Sequence, residues 1–348
     1  MIRSILFIFL FLLLTSESCE ETKEKTGTKT TAETQIENEA KTMYIKDRFL
    51  YTAEDEKVIL RGVNEMIVWS KDPTGKEVLS EIAKTGANSM RLVWSTQGNP
   101  KKLDTLIQNC LNNAMIPMVE LHDATGDWSK LPMVLDYWKR NDVKEVMNKH
   151  KKWVLLNIAN EVGNKEGDSV FVVNYKNAIT ELRNVGYKMP LIIDAPDWGK
   201  DEKVIGRNWK ELLNHDPLKN IMFSVHTYWV KDSQQRMDTF LNQVVSENIP
   251  FLFGEGPEPN GYDCNTDFPY LNCIKQCQEK EIGWLNWSWG SIPNGDCGKE
   301  GERSSFDITN NGKYGSWNND WGRLTMVDDE NSIQKTSIRP ASLLKQAK

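Results

Sequence analysis

Eight short apolar segments punctuate the chain between residues 57 and 289, separated by longer, mostly polar stretches. They read "KVILRGVN" (57–64), "ANSMRLVW" (87–94), "MIPMVELHD" (115–123), "WVLLNIANE" (153–161), "MPLIIDAP" (189–196), "IMFSVHTY" (221–228), "IPFLFGE" (249–255) and "GWLNWSW" (283–289). Their starts lie 28–38 residues apart, room for a strand, a loop, a helix and a return. The intervals support that division. "GKEVLSEIAKTG" and "KKLDTLIQNCLNNA" place apolar residues three and four apart, the period of a helix with one buried face. Near-continuous apolar strands suit a parallel sheet covered on both sides. Eight such units over roughly 250 residues predict an α/β fold, a (β/α)8 TIM barrel in one domain. An open doubly wound sheet shares the alternation, but no G-x-G-x-x-G or P-loop follows the first segment.

The segments end in polar or aromatic groups: Asn64, Arg91, His122 with Asp123, Glu161, Asp194, Tyr228, Glu255, and Trp287 with Trp289. In a barrel these ends converge on one face, where active sites are built. Two of them are glutamates, on the fourth and seventh segments, which face each other across a barrel. A single strand-end glutamate is commonly the partner of a loop cation. Two of them among Arg, His, Tyr and Trp fit a pair of carboxyls, one protonated and one ionised, that hydrolyses a glycosidic bond. Arg91 would keep one carboxylate charged and Tyr228 would donate a hydrogen bond to it. Burial without a cation would raise the other.

Thirteen tryptophans are many for 348 residues, and Trp69, Trp94, Trp198, Trp229, Trp287 and Trp289 lie at or beyond segment ends. Their planes suit the C–H faces of sugar rings, with Asn160, His122 and His226 as partners for hydroxyls. The formal charge of −6 is mild and unclustered, which sets nucleic acid aside.

Composition divides the chain further. Arg3 followed by "ILFIFLFLLL" (5–14) reads as a signal over residues 1–18, too short to span a bilayer. Cys19 after it resembles the lipidated cysteine of bacterial lipoproteins, with Ser16 where that pattern usually has Leu. The expected location is therefore an exported lipoprotein of a bacterial envelope, facing the periplasm or on the cell surface. Residues 19–42, "CEETKEKTGTKTTAETQIENEAKT", bury almost nothing and read as a disordered tether. The barrel domain follows over 43–335, then a C-terminal tail, 336–348. An oxidising compartment permits disulfides, and Cys264 and Cys297, in polar loops, are the expected pair. Cys273 and Cys277 lack a second cluster to complete a metal site and suit packing.

The chain resembles glycoside hydrolase family 5, and within it the bacterial endo-β-1,4-mannanases. The matching stretches are "VELHDATG" (119–126), "NIANE" (157–161), "LIIDAPDWG" (191–199), "DPLKNIMFSVHTY" (216–228), "FGE" (253–255), "GWLNWSW" (283–289) and "DWG" (320–322). The resemblance implies a retaining mechanism with Glu161 as acid/base and Glu255 as nucleophile. It implies that Arg91 and Tyr228 orient Glu255, that Asn160 binds the sugar 2-hydroxyl, and that His122 and His226 line the same subsite above a Trp287 floor. Glu258 is a second, weaker candidate for nucleophile. No metal and no organic cofactor is implied; the partners are a polysaccharide and, through lipid, a membrane. Three departures stand out. Val162 replaces an aromatic after the acid/base, Gly256 and Pro257 replace a Phe after the nucleophile, and Glu65 and Ile67 replace two His after the first strand. All are expected beside the sugar pocket. They leave other readings open: another β-glycanase, an exo-β-glycosidase, or a glycan-binding lipoprotein without activity.

Overall fold

The computed structural model describes residues 41–298 and 302–347. The signal, Cys19 and the tether as far as residue 40 lie outside the described residues. Three short strands, β1 (Tyr44–Lys46), β2 (Phe49–Tyr51) and β3 (Lys57–Val58), form an antiparallel sheet. It is pinned beneath the barrel where Asn220 accepts from the Ile45 N–H at 3.0 Å and donates to the Met43 carbonyl at 3.2 Å.

Eight parallel strands then close a barrel: β4 (Arg61–Glu65), β5 (Ser89–Trp94), β6 (Ile116–Leu121), β7 (Leu155–Asn157), β8 (Leu191–Asp194), β9 (Ile221–His226), β10 (Phe251–Glu255) and β11 (Gly283–Asn286). The ring closes where Trp284 of β11 pairs with Arg61 of β4. All eight apolar segments thus become barrel strands, in order. The first is shorter than the apolar run, because β3 leaves the barrel to join the small sheet.

Helices cover the outside, started by local caps. Asn99 accepts from the Lys101 N–H, with Pro100 opening the helix Pro100–Asn112. Asp201 accepts from Lys203 and Val204 at the head of Glu202–His215. In the first of these, Leu103, Leu106, Ile107, Cys110 and Leu111 are buried, the face that the spacing predicted.

The stretch set apart as a tail packs onto the barrel domain. Arg339 donates to the carbonyls of Ala83 and Ala87, and Glu56 accepts from the Ala341 N–H at the start of the helix Ala341–Gln346. Leu343 of that helix is fully buried.

Candidate active site

The strand-end residues meet inside the top of the barrel. Register places Asn64 level with Arg91, and Glu120 level with Asn157. Arg91, fully buried, organises them. Its Nε donates to Asn157 Oδ1 at 2.9 Å, and Nη1 donates to Glu255 Oε1 at 2.7 Å and Asn64 Oδ1 at 3.0 Å. Nη2 donates to Asn160 Oδ1 at 2.6 Å and Asp194 Oδ2 at 3.2 Å. Burial alone would lower its pKa, but the charges of Glu120, Glu255 and Asp194 outweigh burial and raise it. A guanidinium in this setting is a permanent cation.

Glu255 leaves β10 at a register shift between Phe253 and Glu255, which aims it inward. Its second oxygen accepts from the Tyr228 hydroxyl at 2.8 Å. Glu161 arrives differently. Strand β7 stops at Asn157, four residues short of the predicted end, and the chain turns over the barrel lip. Glu161 itself sits in the left-handed region at φ 45°, costing about 1–2 kcal/mol for a residue with a Cβ. Three bonds hold it there: Asn160 N–H to the Leu121 carbonyl at 2.9 Å, Gly126 N–H to the Glu161 carbonyl at 2.9 Å, and Glu161 N–H to Asp194 Oδ2 at 3.2 Å.

His226 stands between the two glutamates. Its Nδ1 lies 2.6 Å from Glu161 Oε1 and 3.5 Å from Glu255 Oε2. One ligating atom from each of Glu161, His226 and Glu255 falls within 4.8 Å of the others. They are the one group among the described residues able to hold a metal ion. Each already has a protein partner, and Arg91 supplies the positive charge.

Burial raises the Glu255 carboxyl above its ordinary value; His226 and Arg91 oppose this and Glu161 adds to it. Burial also acts to raise Glu161, but the charge and hydrogen bond of His226 outweigh it and hold Glu161 low. His226 is in turn raised: burial lowers it, and the charges of Glu255, Asp194 and Glu161 prevail. The three groups therefore share protons. Hydrogen bonding decides their placement. Glu255 accepts on both oxygens from donors that suit its ionised form, whereas Glu161 has the imidazole alone. A proton passed from His226 to Glu161 would remove the charge that holds that carboxyl low.

A cavity of about 610 Å³ opens over this pair, lined by His122, Thr125, Glu161, Tyr228, Glu255 and Trp287 among others. His122 stacks on Trp287 with ring centroids 5.8 Å apart, and Trp69 meets His122 edge-on at 5.7 Å. Trp69 and Trp198 are half-exposed, and Trp198 lines the cavity.

Several expectations are corrected. His226 is fully buried and does not line the cavity; it sits behind the carboxyls and joins them. Asn160 is 1% exposed, its carboxamide bonded to Arg91 and, at 2.9 Å, to Oγ1 of Thr125, which lines the cavity in its place. Trp94, Trp229 and Trp289 are core residues, fully buried, with their ring N–H groups bonded to Tyr137, Lys200 and Gly312. Glu258 is buried beyond the cis Gly256–Pro257 bond, away from the cavity, where burial and Glu255 push its carboxyl far up.

The departures from the family pattern do not line the cavity either. Val162 and Ile67 are fully buried apolar residues. Glu65 accepts from the backbone of Ser291 at 2.9 Å and Ile292 at 3.4 Å, tethering the loop that follows Trp287 and Trp289. Gly256 has φ 91°, and a Cβ there would lie 1.9 Å from Thr227 Oγ1. These positions set loop paths rather than sugar contacts.

Cys264 and Cys297 are joined by a disulfide, Cα–Cα 5.2 Å, that ties the loops after β10 and β11 at the cavity rim. Cys110, Cys273 and Cys277 are free and buried. Sequence reasoning gave no role to Asn157 or Glu120. Asn157 had a signal: it is the single polar residue within Trp153–Ala159. Glu120 lies 3.0 Å from His122 Nδ1 and 3.9 Å from Arg91.

A family model described as cellulase (glycosyl hydrolase family 5) matches residues 51–292. The mannan endo-1,4-beta-mannosidase of Salipaludibacillus agaradhaerens is 30% identical over 303 residues, 84% of this chain and 93% of that protein. The mannan endo-1,4-beta-mannosidase of Cellvibrio japonicus (strain Ueda107) is 29% identical over 308 residues, 84% and 67% of the two. The mannohexaose complex of Thermomonospora fusca beta-mannanase matches with a TM-score of 0.76 at 26% identity, covering 87% of this chain and 100% of that one. With eight parallel strands closed into a barrel and two glutamates across its mouth, the chain belongs to glycosyl hydrolase family 5 and is a glycoside hydrolase.

Proposed function

We propose that this protein is a retaining endo-β-1,4-mannanase. The observation that carries the mechanism is the pairing of Glu161 and Glu255, with an oxygen of each within 4.8 Å. That suits the roughly 5–5.5 Å carboxyl separation of retaining enzymes rather than the roughly 6.5–9.5 Å of inverting ones. The substrate class is supported by relatives named for mannan.

In this reading Glu255, ionised beside Arg91 and Tyr228, attacks the anomeric carbon. The bond to the glycosidic oxygen breaks as Glu161 passes that oxygen its proton, leaving a glycosyl ester on Glu255. Glu161, now a carboxylate, takes a proton from water; the water oxygen bonds to the anomeric carbon and Glu255 departs. His226 accommodates both states of Glu161. Trp287 forms the floor under the reacting sugar, and Asn160, oriented by Arg91, reaches the 2-hydroxyl once its bond to Thr125 is exchanged.

The test is turnover of mannan, glucomannan, carboxymethyl-cellulose and xylan, with product anomers followed by NMR. β-Anomeric products from mannan support the proposal. Cleavage of cellulose but not mannan, or α-anomeric products, sinks it. A second reading, another β-glycanase, is favoured by the loop paths that Glu65 and Gly256 impose around the cavity; the same panel separates the two.

Attachment to a bacterial membrane through Cys19 is part of the proposal and rests on the apolar run before it. Cys19→Ser is expected to move the protein from the membrane to the soluble fraction. A wild type that is already soluble refutes the anchor.

A further inference from the structure

The catalytic cavity continues into a second cleft of about 450 Å³, the two sharing Lys165, Asp197, Lys200, Tyr228 and Tyr262. The charge of this cleft is opposite to that of the protein. The chain carries a net −6, yet five cations, Lys165, Lys200, Lys203, Lys231 and Arg236, face three aspartates here. Two of the cations are already neutralised, Lys165 by Asp197 at 3.2 Å and Arg236 by Glu202. Of the three aspartates, Asp197 pairs with Lys165 and Asp201 caps a helix, so Asp232 is the one carboxylate of the cleft left without an ion pair or a capping bond among the described residues, against three lysines without an ion pair. Among the described residues, Lys200, Lys203 and Lys231 have no carboxylate at ion-pair distance.

Lys200 is the central one. Its ammonium lies 5.2 Å from the Trp198 ring centroid and 5.4 Å from that of Tyr262. Its one hydrogen bond goes to the Asp197 carbonyl at 2.7 Å, so two of its three N–H donors remain for a ligand. Both residues are exposed, Trp198 by 45% at the catalytic cavity and Tyr262 by 64% where cavity and cleft meet. Burial lowers the pKa of this ammonium, while Asp197 and Glu161 favour its charge. Lys200 and Glu161 line the same catalytic cavity.

A neutral sugar chain needs aromatic faces and neutral donors. It gains little from a partly desolvated ammonium with two unused donors and two free lysines nearby. An anion on the sugar would use all three. We propose that this cleft receives a sugar unit carrying an anionic group, a carboxylate or a sulfate ester, on the same glycan that the catalytic pair cleaves. The substrate class is then a charged β-mannan, and the inference rests on the mannanase reading.

The experiment uses the full chain carrying Glu255→Gln, so that bound oligosaccharide is not consumed. Calorimetry compares mannohexaose, mannohexaose oxidised at one C6 to the uronic acid, and mannohexaose with one 6-O-sulfate. An anionic probe is expected to bind about 5-fold more tightly, the scale of one charge-assisted hydrogen bond that stays partly solvated. The advantage should fade as salt rises toward about 0.2 M and disappear on adding Lys200→Met, which keeps the aliphatic stem. Lys203→Met with Lys231→Met, both on exposed side chains, should reduce it in part. Preference for one anion over the other identifies the substituent.

Equal binding of all three probes overturns the proposal, as does an advantage that survives Lys200→Met. Turnover of plain mannohexaose by the wild type is measured alongside. If it is cleaved while the probes bind alike, only the charged-substrate inference falls. If it is not cleaved and no probe binds, the mannanase reading falls and takes this inference with it.

Discussion

Replacing Tyr228 by Phe removes one oxygen from the site and keeps the ring that packs against Phe306 at 5.6 Å. The lost group is the hydroxyl that donates to Glu255 Oε2 at 2.8 Å, one of two donors satisfying that carboxylate. A hydrogen bond to a charged group contributes about 1.5–3 kcal/mol. If the bond is needed to keep Glu255 ionised and aimed, kcat/KM at neutral pH falls about 10- to 100-fold. The direction on the pH axis also follows. The hydroxyl stabilises the ionised carboxyl, so its loss raises Glu255, already raised by burial. Activity that needs ionised Glu255 must then fail at a higher pH, moving the acid limb of kcat/KM upward. The assay is a pH profile of kcat/KM on mannohexaose for both proteins, with a thermal melt to confirm folding. A drop in rate with an unmoved acid limb would refute the reasoning, because Tyr228 would then act on the sugar and not on the nucleophile.

Gly256→Ala should destabilise the fold by about 2–4 kcal/mol, from the left-handed backbone and the contact with Thr227; a melting temperature within a degree of wild type contradicts this. Burial raises Glu65 from 4.5 to about 7, against its bonds from Ser291. An acid raised in the folded state stabilises below its unfolded pKa, and that stabilisation is lost as pH climbs through the folded one. The wild type should lose up to about 3 kcal/mol from this group between about pH 4.5 and 7. Glu65→Gln should lose less, as denaturant unfolding at about pH 5 and about pH 8 would reveal; parallel losses in both proteins count against it. Removing the Cys264–Cys297 bridge by a double Ser substitution frees a 33-residue separation, worth about 3–4 kcal/mol in chain entropy. KM should rise with it, because both loops border the cavity; an unchanged KM would show that the rim holds its shape without the bridge.

The barrel was legible because its physics is local and repeated. Each strand is buried on both faces, so the sequence shows an apolar run, and each helix buries one face, so the intervals show a period near 3.6. Strand-end polarity was legible for the same reason, since Arg91, Glu161, Tyr228 and Glu255 interrupt runs that would otherwise stay apolar. The disulfide partners, both in loops rich in polar residues and turns, also stood out from the cysteines on helices.

What remained hidden depends on direction and depth, which a linear pattern does not carry. Trp94, Trp229 and Trp289 sit at strand ends like Trp287, yet only the tertiary structure turns them into the core. His226 has the sequence setting of a cavity residue and is instead buried between two carboxyls, because β9 points it inward beneath Gly199 and Gly254. Val162, Ile67, Glu65 and Gly256 lie close in sequence to site residues but act through loop paths. The sequence by itself determined the barrel and the polar groups that interrupt its strand ends, since burial patterns encode these residue by residue. The tertiary structure alone decided which groups hold Glu161 and Glu255 and which cations stand without partners, because both rest on contacts between segments tens of residues apart.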